Sequence, residues 1–237
     1  MHATRRFGET LSLALLAGGA LLLLAGCGQG RFGSELSARP RPRPLHQAEA
    51  QILRLPQDEA FSIVLTQVNR KPGLGGLAES DARAEGAGTA EASAAVTESG
   101  EALGMFQLGH AFENATDQQM DLDLDVGFGY AFEVSATPDS GYPDATAGLR
   151  LYARDNRGRL LRELNLAGHS SEAGAARRES DERVAFTLTL PPRSSVNVFL
   201  AGQANVNIRE GRSASSTVRL TKLEMGVATR SAPPVQP

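Results

Sequence analysis

The sequence predicts an all-β protein, an antiparallel β-sandwich of jelly-roll or immunoglobulin-like topology. From residue 51 onward, apolar residues recur at every second position in one run after another, and no stretch shows a helical period. Turn-forming residues separate these runs. Many short strands with one apolar face fit two packed antiparallel sheets better than a parallel sheet, whose strands are apolar on both faces. The alternation leaves the two topologies open.

The longest alternating run is "MDLDLDVGFGYAFEVSA", which covers residues 120–136. Its even positions are all apolar or aromatic, whereas Asp121, Asp123 and Asp125 occupy odd positions. Because side chains alternate between the two faces of a strand, we expect the even residues to be buried and the three aspartates to be exposed. Gly127 and Gly129 are expected where the strand bends or a neighbour approaches closely.

Five shorter runs predict further strands: "FSIVLTQVN", "GMFQLGHAF", "RVAFTLTL", "SVNVFLAGQANVNI" and "TVRLTKLEMGV". In the first, the shared inward face is expected to carry Phe61, Ile63 and Leu65. Gly202 is expected to interrupt the fourth run. The last run changes parity at Thr221-Lys222, which predicts a β-bulge there.

Turn chemistry joins these strands. "RDNRGR", residues 154–159, places Asp, Asn and Gly where a tight reversal needs them, so residues 148–152 and 160–166 are predicted to pair as a hairpin. "PPRSS" follows Leu190 and removes two backbone donors in succession, which predicts the end of that strand.

Two segments lack the alternating pattern. Residues 75–104 are rich in Ala, Gly, Ser and Glu, and are interpreted as a long mobile loop, with a small-residue strand over 90–97 or a short helix over 77–84 as alternatives. Residues 167–183 contain no apolar anchor, so an exposed loop is expected.

Length and composition limit the function classes. The 237 residues allow one substantial domain with appendages. The formal net charge of -3, with no basic face interleaved with aromatic residues, argues against nucleic acid as a partner. Cys27 is the single cysteine, so neither an intramolecular disulfide nor a cysteine-based zinc site can form. No cofactor is predicted.

The first residues have the features of an export signal. Arg5 and Arg6 precede an apolar segment at 11–24 that is too short for a permanent transmembrane helix. The following "LAGC", ending at Cys27, resembles the lipobox of bacterial lipoproteins at every position. The resemblance implies that Cys27 is lipidated, becomes the first mature residue and holds the protein on a membrane. Gly28 stands where inner-membrane lipoproteins typically carry Asp, so the resemblance implies the outer membrane, with the domain facing the periplasm or the cell surface.

Four regions are therefore predicted along the chain. Residues 1–26 form the signal peptide, and 27–47 form a lipid-anchored linker in which alternating Arg and Pro at 39–44 predict an extended, polyproline-like spacer. Residues 48–230 form the β-sandwich, and 231–237 form a flexible tail.

The candidate catalytic and metal-binding motifs fail on their spacing. In an EF-hand loop, Val126 would stand in place of the obligatory glycine and Phe132 in place of the twelfth-position acid. His110 shares a strand face with apolar residues, and "GHSS" at His169 lacks the nucleophile elbow of serine hydrolases. No catalytic residue and no metal site are predicted, and the protein is not expected to be an enzyme.

The sequence thus favours a binding or structural module of the cell envelope. A glycan or envelope polymer is the expected ligand class, with exposed Tyr130, Tyr142 and Tyr152 as candidate contacts. The alternative is a lipoprotein that binds an envelope protein through a sheet edge, as an assembly factor or periplasmic inhibitor. A hydrolase on the same scaffold is the third reading.

Overall fold

A computed structural model describes residues 40–45, 52–137 and 144–231 of the chain. Ten strands form one hydrogen-bonded sheet that folds over on itself into a two-layer β-sandwich around a shared apolar core, which confirms the predicted fold class. Within those ranges no helix is long and apolar enough to cross a bilayer. The strands are β1 Arg43–Leu45, β2 Ile52–Leu55, β3 Ile63–Pro72, β4 Leu77–Glu85, β5 Thr89–Asn114, β6 Met120–Ala136, β7 Ala145–Asp155, β8 Leu160–Ser170, β9 Ala176–Leu190 and β10 Ser195–Ser231.

The long strands β5 and β10 run through both layers. In the first layer the strand order is β8-β7-β10-β5-β3, with residues 100–114 of β5 and 195–208 of β10. In the second layer the order is β9-β6-β10-β5-β4, with residues 89–98 of β5 and 212–231 of β10. β1 extends the first layer by pairing in parallel with β5, and β2 pairs with β10 in the second.

A corner joins the two layers where both long strands bend together. In β5 the bend includes Glu98 and Gly100, which both have positive φ angles, 67° and 139°. Opposite them, the register of β10 shifts between Ile208 and Arg212. Strands that change sheets through such bends and bulges form the corners of packed sheets. The corner therefore brings the buried faces of one continuous sheet against each other.

The predicted burial of β6 is confirmed, because its even residues from Met120 to Val134 are all buried. The predicted bulge is confirmed as well, since Leu220 pairs with Tyr130 but Lys222 pairs with Gly129, leaving Thr221 without a partner in β6. A Cβ at Gly129 would lie 2.6 Å from Thr221 Oγ1. Asp181 Oδ1 would lie 2.4 Å from the same Cβ, so the side chains of Asp181 and Thr221 both approach closely at this glycine.

The predicted β7–β8 hairpin is also confirmed. Asp155 Oδ1 accepts the backbone N–H groups of Arg157 and Arg159 at 2.9 and 2.8 Å, and Gly158 adopts φ 79°. The aspartate side chain therefore holds the turn that its sequence position predicted. β9 ends at Leu190, as the following two prolines predicted.

Both segments without an alternating pattern prove to be largely strand. The small-residue strand expected over 90–97 is present within β5, but the mobile loop and the helix over 77–84 are wrong, since β4 occupies that stretch. The exposed loop over 167–183 is wrong too, because β8 continues to Ser170 and β9 begins at Ala176. In β5, Ala90, Ala92 and Ala94 supply the buried face with small side chains. The start of β9 is instead held by backbone pairing with β6.

Three smaller expectations are corrected. Residues 43–45 of the predicted linker form β1, because their extended backbone matches an open stretch of β5. Gly202 does not interrupt β10; it leaves room for the Phe106 ring, whose Cζ would lie 2.2 Å from a Cβ at that position. Ile63 and Leu65 face outward, where they join a second apolar cluster, whereas Val64 packs against the main core.

Candidate functional site

A cleft of about 1090 Å³ lies on the outer face of the first layer. Strand alternation builds it, because the residues of β5, β7 and β10 that do not enter the core point into this space. The registers align these outward residues into transverse rows across the sheet. The cleft is therefore a surface formed by rigid strands rather than by loops.

One row forms an aromatic floor. Ile63, Gly109, Phe199, Tyr152 and Glu163 pair in sequence from β3 to β8. The rings of Tyr152 and Phe199 lie 5.5 Å apart, in a tilted arrangement. Phe199 is 6 % exposed and packs with Ile63, whereas Tyr152 is only partly buried at the edge of that cluster. Tyr152 is therefore partly exposed at the cleft, with its ring packed beside that of Phe199.

Side-chain amides surround this floor. Gln107 and Asn165 lie in the next row along the strands, Asn197 lies on the opposite side of Phe199, and Gln203 lies farther along β10. Each amide offers donors and an acceptor without a charge. The lining therefore combines one accessible aromatic ring with several neutral hydrogen-bonding groups.

Two arginines flank Tyr152 on the same face of β7. The guanidinium carbon of Arg154 lies 5.1 Å from the Tyr152 ring centre, a cation–π distance. Arg150 Nη1 lies 3.4 Å from Glu163 Oε1. A hydrogen bond with Tyr152 is the main cause that raises the pKa of Arg150, and the nearby Glu163 carboxylate adds to it. Both arginines stay charged at physiological pH.

The chain enters the domain at one end of this cleft. Pro40 and Pro42 contribute to its lining, together with residues of the β7–β8 turn. Directly after them, Arg43 pairs with Phe112, which pairs with Val196, which in turn pairs with Asp155 of the turn. The end of the cleft nearest the N-terminal segment is thus the end that holds Arg154.

The three predicted tyrosines lie in different surroundings. Tyr152 is the one that the structure places in the cleft. The expected exposure of Tyr130 is wrong, because its even position in β6 puts the ring in the core, where the hydroxyl donates to Glu182 Oε1 at 3.0 Å. Burial, followed by the hydrogen bond with Glu182, raises the pKa of Tyr130. Tyr142, like Cys27, lies outside the described residues.

Several cleft residues were missed by the sequence analysis, above all Phe199, Arg150 and Arg154. The signal was present in "SVNVFLAGQ", where Phe199 occupies an outward position between Asn197 and Ala201. That parity places Phe199 on the outer face of the first layer, where it packs with Ile63.

The aspartates of β6 lie on the outer face of the second layer, and their carboxylates have different partners. Asp121 accepts from Thr189 Oγ1 at 2.7 Å, and Asp123 accepts from Thr187 Oγ1 at 2.5 Å and from Arg230. Asp125 Oδ2 lies 3.3 Å from Arg183 Nη1. The side chains face outward as predicted, but their partners leave them only partly exposed. Among the described residues, no three His, Cys, Asp or Glu side chains are grouped to hold a metal ion.

The two histidines considered as candidate bases have structural surroundings. His110 is fully buried, as its strand face predicted, and its Nδ1 accepts the Ser62 N–H at 3.3 Å. Burial lowers the pKa of His110, because the imidazolium loses its hydration. His169 Nε2 lies 2.9 Å from the Gly174 carbonyl oxygen, and its ring lies 6.2 Å from that of Phe132.

No protein-family model and no curated protein matches the chain. Solved structures with a distant likeness include the CBM22-1 xylan-binding domain from Paenibacillus barcinonensis Xyn10C, at 12% identity and a TM-score of 0.23, over 79% of this chain and 100% of that domain. Another is the family 11 carbohydrate-binding module from Clostridium thermocellum in complex with a β-1,3-1,4-mixed-linked tetrasaccharide. Its sequence identity is 8% and its TM-score 0.18, over 73% of this chain and 96% of that module. A third is a chain in the structure of infectious bursal disease virus Gx strain. Its sequence identity is 9% and its TM-score 0.21, over 74% of this chain and 62% of the viral chain. Likenesses this distant assign no function.

Proposed function

We propose that this protein is an exported, lipid-anchored envelope protein that binds a glycan, or a comparable envelope polymer, in the cleft on its first layer. The observation that carries the proposal is the partly exposed ring of Tyr152, set among side-chain amides on one rigid sheet face. It acts as a binding module and not as an enzyme.

The lining suits the chemistry of sugars. A pyranose ring presents C–H groups on its faces, which pack on aromatic rings, and hydroxyl groups around its rim, which exchange hydrogen bonds with amides. Phe199 supports Tyr152 from the neighbouring strand, at 5.5 Å between ring centres. Gln107, Asn197 and Gln203 lie within reach of a chain that follows the cleft.

The outer face of the second layer has fewer polar side chains that are free to bind a ligand. There the charged groups pair with one another, as in Asp123 with Arg230 and Glu91 with Arg219. A ligand on that face would have to displace these intramolecular partners, whereas the amides of the cleft remain available.

The anchor is the second part of the proposal. It is supported by the "LAGC" motif that ends at Cys27 and by the position of Pro40, which follows Cys27 by only 13 residues and lies at the cleft. A chain of that length spans at most roughly 45 Å. The cleft would therefore work close to the membrane that holds the protein.

The test is a glycan-binding screen of the full chain in detergent micelles, followed by Tyr152→Ala. We expect at least a tenfold loss of affinity for any glycan that binds, equal to about 1.4 kcal/mol. Tyr130→Phe is the matched control, because it changes a tyrosine in the core without touching the cleft, and it should bind as the native chain does. Equal affinity in the native chain and Tyr152→Ala would refute binding at this cleft.

A protein partner is the second candidate function. Strand β8 pairs with β7 alone among the described strands, and it carries Leu160 and Leu161 at 47 % and 42 % exposure near its start. An open strand edge beside exposed apolar side chains is the arrangement that β-augmentation uses. Crosslinking of the anchored protein in its own envelope distinguishes the two candidates. A protein crosslinked at β8 supports the second one, and a glycan captured at Tyr152 supports the first.

A further inference from the structure

The residues that line the cleft carry more positive than negative charge. Its charged lining residues are Arg150, Arg154 and Asp155. Asp155 is committed to the β7–β8 turn, where Oδ2 lies 3.1 Å from Arg159 Nε while Oδ1 accepts two backbone N–H groups. Its charge is thus offset by its own ion pair with Arg159. The two arginines dominate the electrostatics of the cleft.

The pairing of these arginines leaves capacity for a ligand. Within the described part of the chain, Arg150 has one acidic contact, the Glu163 carboxylate at 3.4 Å. Both side chains of that pair are substantially exposed, at 53% and 38%. The ion pairs of the described residues at this cleft join Arg150 with Glu163 and Asp155 with Arg159, and none involves Arg154. The Arg154 Nε is buried without a hydrogen-bond partner among those residues, so a ligand would meet the terminal nitrogens of the guanidinium. A guanidinium with unused donors is a typical site for a carboxylate or another oxyanion.

The spacing on β7 places the charges on both sides of the aromatic ring. Arg150, Tyr152 and Arg154 alternate along one strand face, so successive Cα atoms of the three lie about 6.8 Å apart. In the structure the Arg154 guanidinium lies over the Tyr152 ring, 5.1 Å from its centre, so a sugar that packs on this ring takes the place of the guanidinium, which then borders the sugar. The cleft farther from Arg154 is uncharged, since it is lined by Gly148, Gly168 and Gln203.

We propose that the ligand of this cleft is an acidic glycan, whose carboxylate or sulfate groups pair with Arg150 and Arg154 while a sugar ring packs on Tyr152. The inference rests on the proposed glycan binding and narrows its ligand class. The inference also gives the direction in which the glycan lies in the cleft. The acidic sugar unit lies at the end where the protein chain enters the domain, and the neutral units lie toward Gly148 and Gly168.

Another groove of the described chain does not fit this ligand. The groove on the second layer contains Asp123 and Asp125 together with Arg54. Asp123 is already paired with Arg230, and the two carboxylates would repel an anionic polymer. The acidic ligand is therefore assigned to the cleft on the first layer and not to this groove.

The experiment compares four polymers on the full chain in detergent micelles. Polygalacturonate supplies carboxylates; carrageenan, a sulfated galactan without carboxylates, supplies sulfates; and mixed-linkage β-glucan and galactan are the neutral chains. We expect an acidic polymer to bind at least tenfold more tightly than either neutral chain, with an affinity that falls as salt rises. The better of the two acidic polymers identifies the oxyanion.

The paired variant is Arg150→Gln with Arg154→Gln, which should reduce acidic-polymer binding at least tenfold and flatten its salt dependence. Its control is Arg177→Gln with Arg178→Gln, which removes the same charge from β9 on the other layer and should leave binding unchanged. Circular dichroism checks that each variant is folded.

Each outcome decides a different claim. If neutral chains bind as tightly as acidic ones and Tyr152→Ala abolishes that binding, the acidic inference is wrong while glycan binding stands. If acidic binding survives loss of both cleft arginines, or falls equally in the β9 control, the assignment to Arg150 and Arg154 is wrong. If none of the four polymers binds, the acidic inference is overturned, and the wider glycan screen alone decides the proposed function.

Discussion

The side chain of Phe199 lies over Gly109 on the outer face of the first layer. The two residues are paired across β10 and β5, and a Cβ at Gly109 would come within 2.6 Å of Phe199 Cβ and 2.1 Å of the Val198 carbonyl oxygen. Real Cβ atoms do not approach other heavy atoms so closely. The aromatic floor of the cleft therefore depends on the missing side chain of a single glycine in the next strand.

Gly109→Ala should destabilise the fold by about 1 to 3 kcal/mol, as overpacking of a filled site does. Because β10 must move to relieve the contact, Tyr152 should lose its support from Phe199, and ligand affinity should fall as well. Urea unfolding measures the first effect, and titration with the best polymer measures the second.

Gly148→Ala is the matched control for this substitution. Gly148 lies on the same face, but a Cβ there would meet only the Ala167 carbonyl oxygen, at 3.9 Å. We expect a change of stability within about 0.5 kcal/mol. Equal destabilisation by the two substitutions would show that the Phe199–Gly109 contact has no special role.

The alternation of apolar residues predicted much of the fold, because strand geometry fixes which side chains share a face. It predicted the burial of β6 and the bulge at Thr221 from the order of residues alone. It could not show what covers each face. Ile63 and Leu65 were assigned inward for that reason, but they lie on the outer face of the first layer, in the same apolar cluster as Phe199.

The candidate site was less predictable than the fold. Tyr130 and Tyr152 both lie in alternating runs, and only the tertiary packing makes one a core residue and the other a surface residue. The cleft also joins residues more than 90 positions apart, such as Gln107 and Gln203. They share the cleft because β5 and β10 are neighbours in the sheet, and local patterns do not encode that order.

Tyr130→Phe tests the structural role of that hydroxyl. The change removes the hydrogen bond to Glu182 Oε1, so it should cost about 1 kcal/mol of unfolding free energy. Urea unfolding gives the value. A stability equal to the native protein would mean that Glu182 does not hold the hydroxyl in solution.

Glu91→Gln tests the charge pairing on the second layer. The hydrogen bond from Arg219 is the main cause that holds the pKa of Glu91 below its ordinary value; burial opposes it and Arg83 adds to it. A lowered carboxyl pKa stabilises the fold above the unfolded-state value of about 4.3, and this contribution is lost as the pH falls through the folded-state pKa.

Because these side chains are partly exposed, solvent screening limits the loss in Glu91→Gln to roughly 0.5 kcal/mol at pH 7. The difference from the native protein should disappear in strong acid, as measured by urea unfolding at both pH values. Glu133→Gln, on the exposed face of β6, is the control and should show neither effect. A loss that persists in acid would assign the effect to packing instead.

Cys27→Ala tests the anchor. Acyl chains contribute about 0.8 kcal/mol for each buried CH₂ group, so removal of the lipidation site should move the protein from the membrane fraction to the soluble fraction. Fractionation of cell envelopes with immunoblotting measures this. A variant that stays with the membrane after a high-salt wash would contradict lipid anchoring at Cys27.

His110 should make the stability of the fold dependent on pH in a defined window. Burial lowers the pKa of His110 in the folded state. Below the unfolded-state pKa of about 6.5, the unfolded chain therefore binds a proton at this histidine, whereas the folded chain does not. Stability from this residue is complete above that pH. It falls by up to about 1.4 kcal/mol per pH unit as the pH drops toward the folded-state pKa.

The measurement is urea unfolding of the native protein and His110→Asn at steps between pH 7.5 and 5. The asparagine keeps an acceptor for the Ser62 N–H but cannot take a proton, so the variant should start less stable and lose less stability on acidification. Identical slopes in the native protein and His110→Asn would refute the titration, because carboxylates common to both proteins would then account for the whole acid effect.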